Sequence, residues 1–269
     1  IHWHGIRNLN KMDGVPGLTQ KLVYPGESFL YKFPINNAGT FWYHTHHKSW
    51  KQNAQGLHGV LIVKDNDSEL NERDIILVVD DWRLDKNNQI HSESFGSLHD
   101  WSHGGRIGNY LTINGKSIPN IQIPSEGKIR IRFVNTANAR IMKLQFNNQI
   151  PFRIISIDGE YCIPFESDNI TLAPGQRIDV ILENAKDIQN LFEISSNDDF
   201  EVLKFKHKNN ISNNIDVLNY NKVINSPPSL EENVKTFNIK MEGGAMGSLN
   251  KAFFDGKVQS FRDLAIKKR

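Results

Sequence analysis

Short runs with a hydrophobic period of two dominate the chain, and helix-period runs are scarce. Ile129, Ile131 and Phe133 alternate with Arg130, Arg132 and Val134, which predicts a strand with one apolar face and one mostly charged face. The same reasoning predicts strands over 28–33, 39–44, 59–63, 74–79, 128–135, 142–146, 152–157 and 177–183. Gly, Pro, Asn and Asp separate these runs, the pattern of an all-β sandwich. Pro25-Gly26 and Pro174-Gly175 each open a segment of the form Pro-Gly, polar residue, strand. Two such segments suggest two domains of one type.

Polar stretches at 64–73 and 207–235, the second containing Pro227-Pro228, read as linkers. A further strand is expected to start within 236–241. The organisation expected is a partial first domain over 1–66, a complete second over 67–220, and a linker with the start of a third over 221–269. Ile1 already lies inside a motif, so the chain is expected to be a piece of a longer polypeptide.

Composition narrows the function classes. The 32 Lys and Arg against 30 Asp and Glu give a net charge of +2, without the basic excess of a nucleic-acid binder. With 38% hydrophobic residues and five Trp, a packed core is affordable and disorder is not expected. No apolar run approaches the ~20 residues of a membrane span. A single cysteine excludes a disulfide framework within the chain but does not fix the compartment. No signal peptide is visible.

Four of the ten histidines fall into two His-x-His pairs, His2-Trp3-His4 and His44-Thr45-His46. On a strand, residues i and i+2 point to one face about 6–7 Å apart. Two such pairs on neighbouring strands would gather four imidazoles on one side of a sheet. Neutral imidazoles without carboxylates suit late first-row metals, copper most strongly. Two ligands on one rigid strand diverge, which fits a multinuclear site better than a single ion. A structural zinc site more usually carries Cys ligands or wider His spacing. The alternative reading is two chance pairs on a sheet face.

These motifs resemble the multicopper oxidases, the laccase-like and copper-resistance oxidases built from cupredoxin domains. The resemblance rests on His2-Trp3-His4-Gly5, Asp13-Gly14-Val15-Pro16-Gly17-Leu18-Thr19-Gln20, Tyr24-Pro25-Gly26-Glu27 leading to Phe33, and Gly39-Thr40-Phe41-Trp42-Tyr43-His44-Thr45-His46. Thr45 stands where the family usually has Ser. It continues through Gln55-Gly56-Leu57-His58-Gly59, Asp81-Trp82, Asn114-Gly115, Arg132-Phe133-Val134-Asn135, Asp158-Gly159 and Ala173-Pro174-Gly175-Gln176-Arg177-Ile178-Asp179-Val180.

The resemblance implies tandem cupredoxin-like Greek-key β-sandwiches and half of a trinuclear copper centre. His2 would serve the type 2 copper, and His4, His44 and His46 the type 3 pair. Trp3 would point to the opposite face and pack in the core. Asp13 matches an acid that assists proton delivery to bound oxygen, its alternative being a turn residue before Gly14. The activity implied is one-electron oxidation of a small reductant, a phenol or a metal ion, coupled to reduction of O2 to water. The family is mostly exported, which implies a periplasmic or secreted location.

The type 1 copper ligands are not in this sequence. Cys162 lacks neighbouring histidines and reads as a buried small hydrophobe. The His-x-x-His-x-His and His-Cys-His motifs are expected in a C-terminal cupredoxin domain beyond Arg269. Two other readings compete: a copper-free cupredoxin scaffold of the cell envelope, which retention of the four His opposes, and a two-domain enzyme, which would also need His-Cys-His.

The remaining histidines read as structural: His47 as a non-ligand facing away from His46, His58 as a turn or surface residue, and His207 as solvated. His91, His99 and His103 lie in a loop with Trp101, Gly104 and Gly105, read as hydrogen-bonded and packed by Trp101, the alternatives being an access route or a weak copper site. Met241 and Met246 read as a strand end and turn rather than as copper(I) ligands, and 266–269 as a small basic tail.

Overall fold

A computed structural model describes residues 1–64, 73–196 and 198–209, with the backbone of three short strands at 239–242, 251–254 and 257–259. The first sheet has three antiparallel strands in sequence order, β1 (His2–His4), β2 (Gly39–His44) and β3 (His58–Val63). A one-turn helix, α1 (Ser49–Gln52), lies between β2 and β3.

Residues 73–209 form a two-sheet sandwich. Its strands are β4 (Asp74–Trp82), β5 (Tyr110–Ile113), β6 (Asn120–Pro124), β7 (Ile129–Asn135), β8 (Met142–Phe146) and β9 (Phe152–Ile157). They continue as β10 (Glu160–Ser167), β11 (Asn169–Leu172), β12 (Arg177–Leu182), β13 (Asn190–Glu193) and β14 (Phe200–Lys208). One sheet runs β10-β9-β12-β7-β4-β5 and the other β11-β8-β13-β14-β6. The pairs β4·β7 and β6·β14 are parallel, as expected where the chain crosses between sheets rather than turning a hairpin. β15 (Ile239–Glu242), β16 (Lys251–Phe254) and β17 (Lys257–Gln259) form a separate antiparallel sheet.

The alternation read from sequence builds the sandwich core. Met142, Leu144 and Phe146 of β8 turn inward with Leu77, Phe133 and Phe205, while Lys143 and Gln145 are half-buried. Phe133 and Phe146 meet with ring centroids 6.4 Å apart. Strands form where expected at 39–44, 59–63, 74–79, 128–135, 142–146, 152–157 and 177–183, within a residue or a few at the ends. Cys162 packs half-buried against this core, and burial raises its thiol pKa.

Two expectations need correction. Residues 28–33 form no strand; Leu30 is 81% exposed, while Tyr31 packs edge-on against Trp3. The linker expected over 207–235 begins later, because β14 runs through Lys208; residues 210–235 lie outside the described set. Position 207 itself is exposed, with His207 Nε2 3.0 Å from the Ile188 carbonyl. Of 236–241, only 239–241 are described, at the start of β15. Residues 65–72 of the first linker, Met246 and 266–269 also lie outside the described set.

The charged face of β7 is itself buried: Arg130 and Arg132 are each 5% exposed. The first sheet covers them. Thr40 of β2 donates to Asp179 of β12 at 2.8 Å and accepts from Arg132 at 2.8 Å. Arg130 pairs with the same Asp179, and Arg132 grips Asp74 through two bonds of 2.6 Å. Burial alone would lower the Arg130 pKa, but Asp179, Tyr161 and Asp74 raise it on balance. Gly39 sits so close to the Gly159 carbonyl that a Cβ there would strike it. A buried ionic layer therefore fixes where β2 lies on the sandwich.

Candidate metal centre

The register of the first sheet assembles the site. His2 pairs with His44, Trp3 with Tyr43 and His4 with Trp42. The two-residue alternation then puts His2, His4, Trp42 and His44 on one face. Trp3 and Tyr43 take the other, where Trp3 meets Tyr31 and Phe33 at 5.4 Å each. Trp3 thus points away from the histidines as expected, into an aromatic cluster and only half-buried.

His2, His4 and His44 each offer a ring nitrogen within 4.8 Å of the others. Ring centroids lie 5.7 Å apart for His2–His4, 5.3 Å for His2–His44 and 5.6 Å for His4–His44. His46 stands two residues beyond β2, more exposed, 5.5 Å from the His2 ring and 6.3 Å from that of His44. His47 is exposed and lines a separate cleft with Leu18 and Tyr24.

Hydrogen bonds select the ring nitrogens. His2 Nδ1 lies 2.9 Å from the Asp13 carbonyl and His44 Nδ1 2.8 Å from that of Thr45. A carbonyl can only accept, so each Nδ1 carries the proton and each Nε2 is left as a lone-pair donor. The Asp13 carboxylate is 3.3 Å from the same His2 Nδ1. Gly14 makes that approach possible: it has φ 77°, and a Cβ there would collide with the Ile1 carbonyl.

Burial keeps two of these rings neutral. Desolvation, then Arg177, His44 and His2, pushes the His4 pKa down to about 3. Desolvation outweighs the Thr45 hydrogen bond and brings His44 down to about 4, with His2, His46 and His58 adding to the fall. Neutral imidazole is the metal-binding form. The donor chemistry therefore fits a late first-row ion such as copper.

These shifts make stability depend on pH. Between about pH 6.5 and 4 the unfolded chain takes up protons that folded His4 and His44 refuse, so the metal-free fold weakens as pH falls. His58, its pKa also lowered, acts in the same sense. Asp80, raised by burial to about 7, opposes them, because its folded form binds a proton the unfolded chain has lost. Three histidines against one carboxylate leave a net loss. The melting temperature of the metal-free chain is expected to drop from pH 7 to pH 5, and His4→Gln to flatten that slope. An unchanged slope in His4→Gln would remove His4 from the account.

His58 corrects another expectation. It is neither a turn nor a surface residue: it lies in β3 opposite His44, its side chain 10% exposed. Its Nδ1 is 3.0 Å from Asn53 Oδ1, and its Nε2 is 3.7 Å from Asp80. Asn53 in turn donates to the Thr136 carbonyl at 2.8 Å, joining the histidine sheet to the sandwich. Sequence reasoning missed Asn53 and Asp80, whose partners Thr136 and His58 lie 83 and 22 residues away. A cavity of about 890 Å3 opens beside the centre, lined by His4, Trp42 and His44 on one side and Asp100, His103 and Asn138 on the other. His91 is committed locally, its Nδ1 accepting from Ser94 N at 3.2 Å.

Two sequence profiles described as multicopper oxidase match the chain, one over residues 1–68 and the other over residues 73–223. Laccase-1 of Cryptococcus neoformans var. grubii is 28% identical over 212 residues, covering 69% of this chain and 33% of its own length. The multicopper oxidase Mco of Staphylococcus aureus is 28% identical over 222 residues, covering 79% and 47%. Among solved structures, a multicopper oxidase from Pediococcus acidilactici superposes with a TM-score of 0.76 at 26% identity, covering 96% of this chain and 54% of that one. The chain thus spans a third to a half of these relatives.

Proposed function

Because this chain belongs to the multicopper oxidase family, we propose that it supplies half of the oxygen-reducing copper cage of a laccase-like enzyme. His2 holds the type 2 copper, and His4, His44 and His46 hold the type 3 pair. The single observation that carries the reading is the convergence of His2, His4 and His44 ring nitrogens within 4.8 Å, on a face where burial keeps His4 and His44 neutral. When bound there, copper supplies one-electron steps that together reduce O2 to water.

The chain's own residues position and protonate. The Asp13 and Thr45 carbonyls fix His2 and His44 with Nε2 presented to the ion. The Asp13 carboxylate, 3.3 Å from the His2 ring, holds and delivers protons that O2 reduction consumes. Trp42 packs on His44 at 4.5 Å and on His4 at 4.9 Å, which restricts both rings. The type 1 copper and the remaining cage ligands belong to a further cupredoxin domain. Small phenols and metal ions are the reductant classes, and the location is periplasmic or secreted. No helix among the described residues is long and apolar enough to cross a membrane.

Copper analysis tests the reading. The full-length protein is expected to retain copper after dialysis against a weak chelator, and to consume O2 with a phenolic reductant. The present chain alone is expected to show neither oxidase turnover nor intense thiolate–copper absorption, since Cys162 packs against the core in β10, away from these histidines. Full-length protein without bound copper would instead favour the copper-free scaffold.

A further inference from the structure

The four candidate ligands all precede the sandwich, yet one turn of the sandwich presses on the His4 ring. Gly175 lies between β11 and β12 with φ 79°. A Cβ there would stand 3.1 Å from His4 Cε1, 3.3 Å from His4 Nε2 and 3.6 Å from Trp42 Cζ2. Bare backbone therefore forms the wall along this edge of the imidazole. The other ring nitrogen, Nδ1, is turned to His44 Nε2 at 3.4 Å.

The turn behind the ring is held from both sides. Gly175 N donates to the Asn135 carbonyl of β7 at 2.9 Å, and Gln176 N donates to the Ala173 carbonyl at 3.0 Å. Arg177, 3% exposed, ties the turn to the histidine sheet. Its Nη1 donates to the Gly175 carbonyl at 2.8 Å, its Nη2 to the Asp158 carbonyl at 2.7 Å and its Nε to the Thr40 carbonyl of β2 at 3.2 Å. The Asp158 carboxylate, 3.0 Å from Nη1, supplies the countercharge. The same guanidinium packs on Gly5, the residue after His4, where a Cβ would strike Nη2. A planar fork of donors can reach three carbonyls at once, which a lysine ammonium on its single stem matches poorly.

We propose that Arg177 and Gly175 are positioning residues of the metal centre: through them the sandwich, which supplies none of the candidate ligands, fixes the His4 imidazole with Nδ1 presented to copper. The role rests on the copper reading of β1 and β2 and extends it to the residues behind the ligands. The χ2 torsion of histidine is broad and roughly two-fold. A ligand ring without outer support therefore samples orientations that miss the ion, and a site needs its groups held within about 0.5 Å. Outer partners of this kind are worth about 10–100-fold in metal affinity.

The test is a Cu(II) titration of the full chain against a calibrated chelator, read together with electron paramagnetic resonance. Gly175→Ala leaves every donor of Arg177 in place and adds a methyl group against His4, and it should weaken Cu(II) binding about tenfold or more. Gly115→Ala is the control: Gly115 has φ 74° and nothing within 4 Å of an added Cβ, so it carries similar backbone strain and should leave Cu(II) affinity unchanged. Arg177→Lys should weaken binding as Gly175→Ala does, and where it fails to fold Gly175→Ala decides alone. Positioning must act through His4, so in a His4→Ala background Gly175→Ala should add no further loss. The nitrogen couplings of Gly175→Ala should also depart from those of the unmodified chain toward those of His4→Ala. Unchanged affinity in folded Gly175→Ala, a loss no larger than that of Gly115→Ala, or an undiminished loss in the His4→Ala background would overturn the proposal. His4→Ala by itself tests the reading beneath it. A neutral His4→Ala removes His4 as a ligand and defeats both, whereas weakened binding in His4→Ala beside an unaffected Gly175→Ala defeats the positioning role alone.

Discussion

Replacing Asp179 by alanine is expected to destabilise the chain by about 3–5 kcal/mol, the cost of stranding a buried partner charge. Asp179 is 1% exposed and receives Arg130, Arg132 and Thr40 together. Its removal leaves Arg130 buried without its nearest carboxylate, whereas Arg132 keeps Asp74. It also removes the acceptor of the Thr40 hydroxyl, four residues before His44 on β2. Amide exchange should therefore accelerate in β2 more than in β8, which packs on the far sheet. The contrast is Arg7→Ala. Arg7 meets Glu160 at 2.9 Å, but the two side chains are 73% and 37% exposed, so screening limits the loss to about 0–1 kcal/mol. Denaturant unfolding followed by tryptophan fluorescence measures both variants. Equal costs for the two, or uniform exchange across β2 and β8, would show that the ionic layer does not anchor the histidine sheet.

That layer also marks where sequence reasoning stopped. The alternation in β7 correctly put Ile131 and Phe133 in the core, and it correctly put Arg130 and Arg132 on the other face. Alternation cannot say what covers that face. The covering residue, Thr40, is about 90 positions away, and its hydroxyl carries no pattern of its own. The histidine centre was legible because i, i+2 spacing on a strand dictates a shared face, and the β1–β2 register then needs only one correct pairing. Residues 28–33 show the reverse error. Their period of two is real, but a strand needs a neighbour to satisfy its backbone, and none pairs with it among the described residues. His58 was misread because the turn ends at Gly56, with φ 83°, so β3 already begins at residue 58. Its partner Asp80 lies on the other side of the 64–73 segment, beyond the reach of local motifs.

Replacing His44 by alanine is expected to reduce copper affinity by more than about 100-fold, beyond the usual cost of losing an outer hydrogen-bond partner. His44 neighbours both other rings: its ring lies 5.3 Å from His2 and 5.6 Å from His4, and its Nε2 is 3.4 Å from His4 Nδ1. Asp13→Ala should cost about tenfold or less, because His2 keeps the Asp13 backbone carbonyl at 2.9 Å. The two variants thus separate a ligand from a positioning group. They should also part in stability. Loss of a half-buried imidazole whose pKa is depressed removes a proton-refusing site, so metal-free His44→Ala should lose less of its melting temperature between pH 7 and pH 5 than the unmodified chain does. Copper retained per chain after competition with a calibrated chelator is the deciding measurement, read beside the melting curve. Retention unchanged in a folded His44→Ala chain would mean that His44 holds no copper, and the copper assignment of this sheet would have to be abandoned.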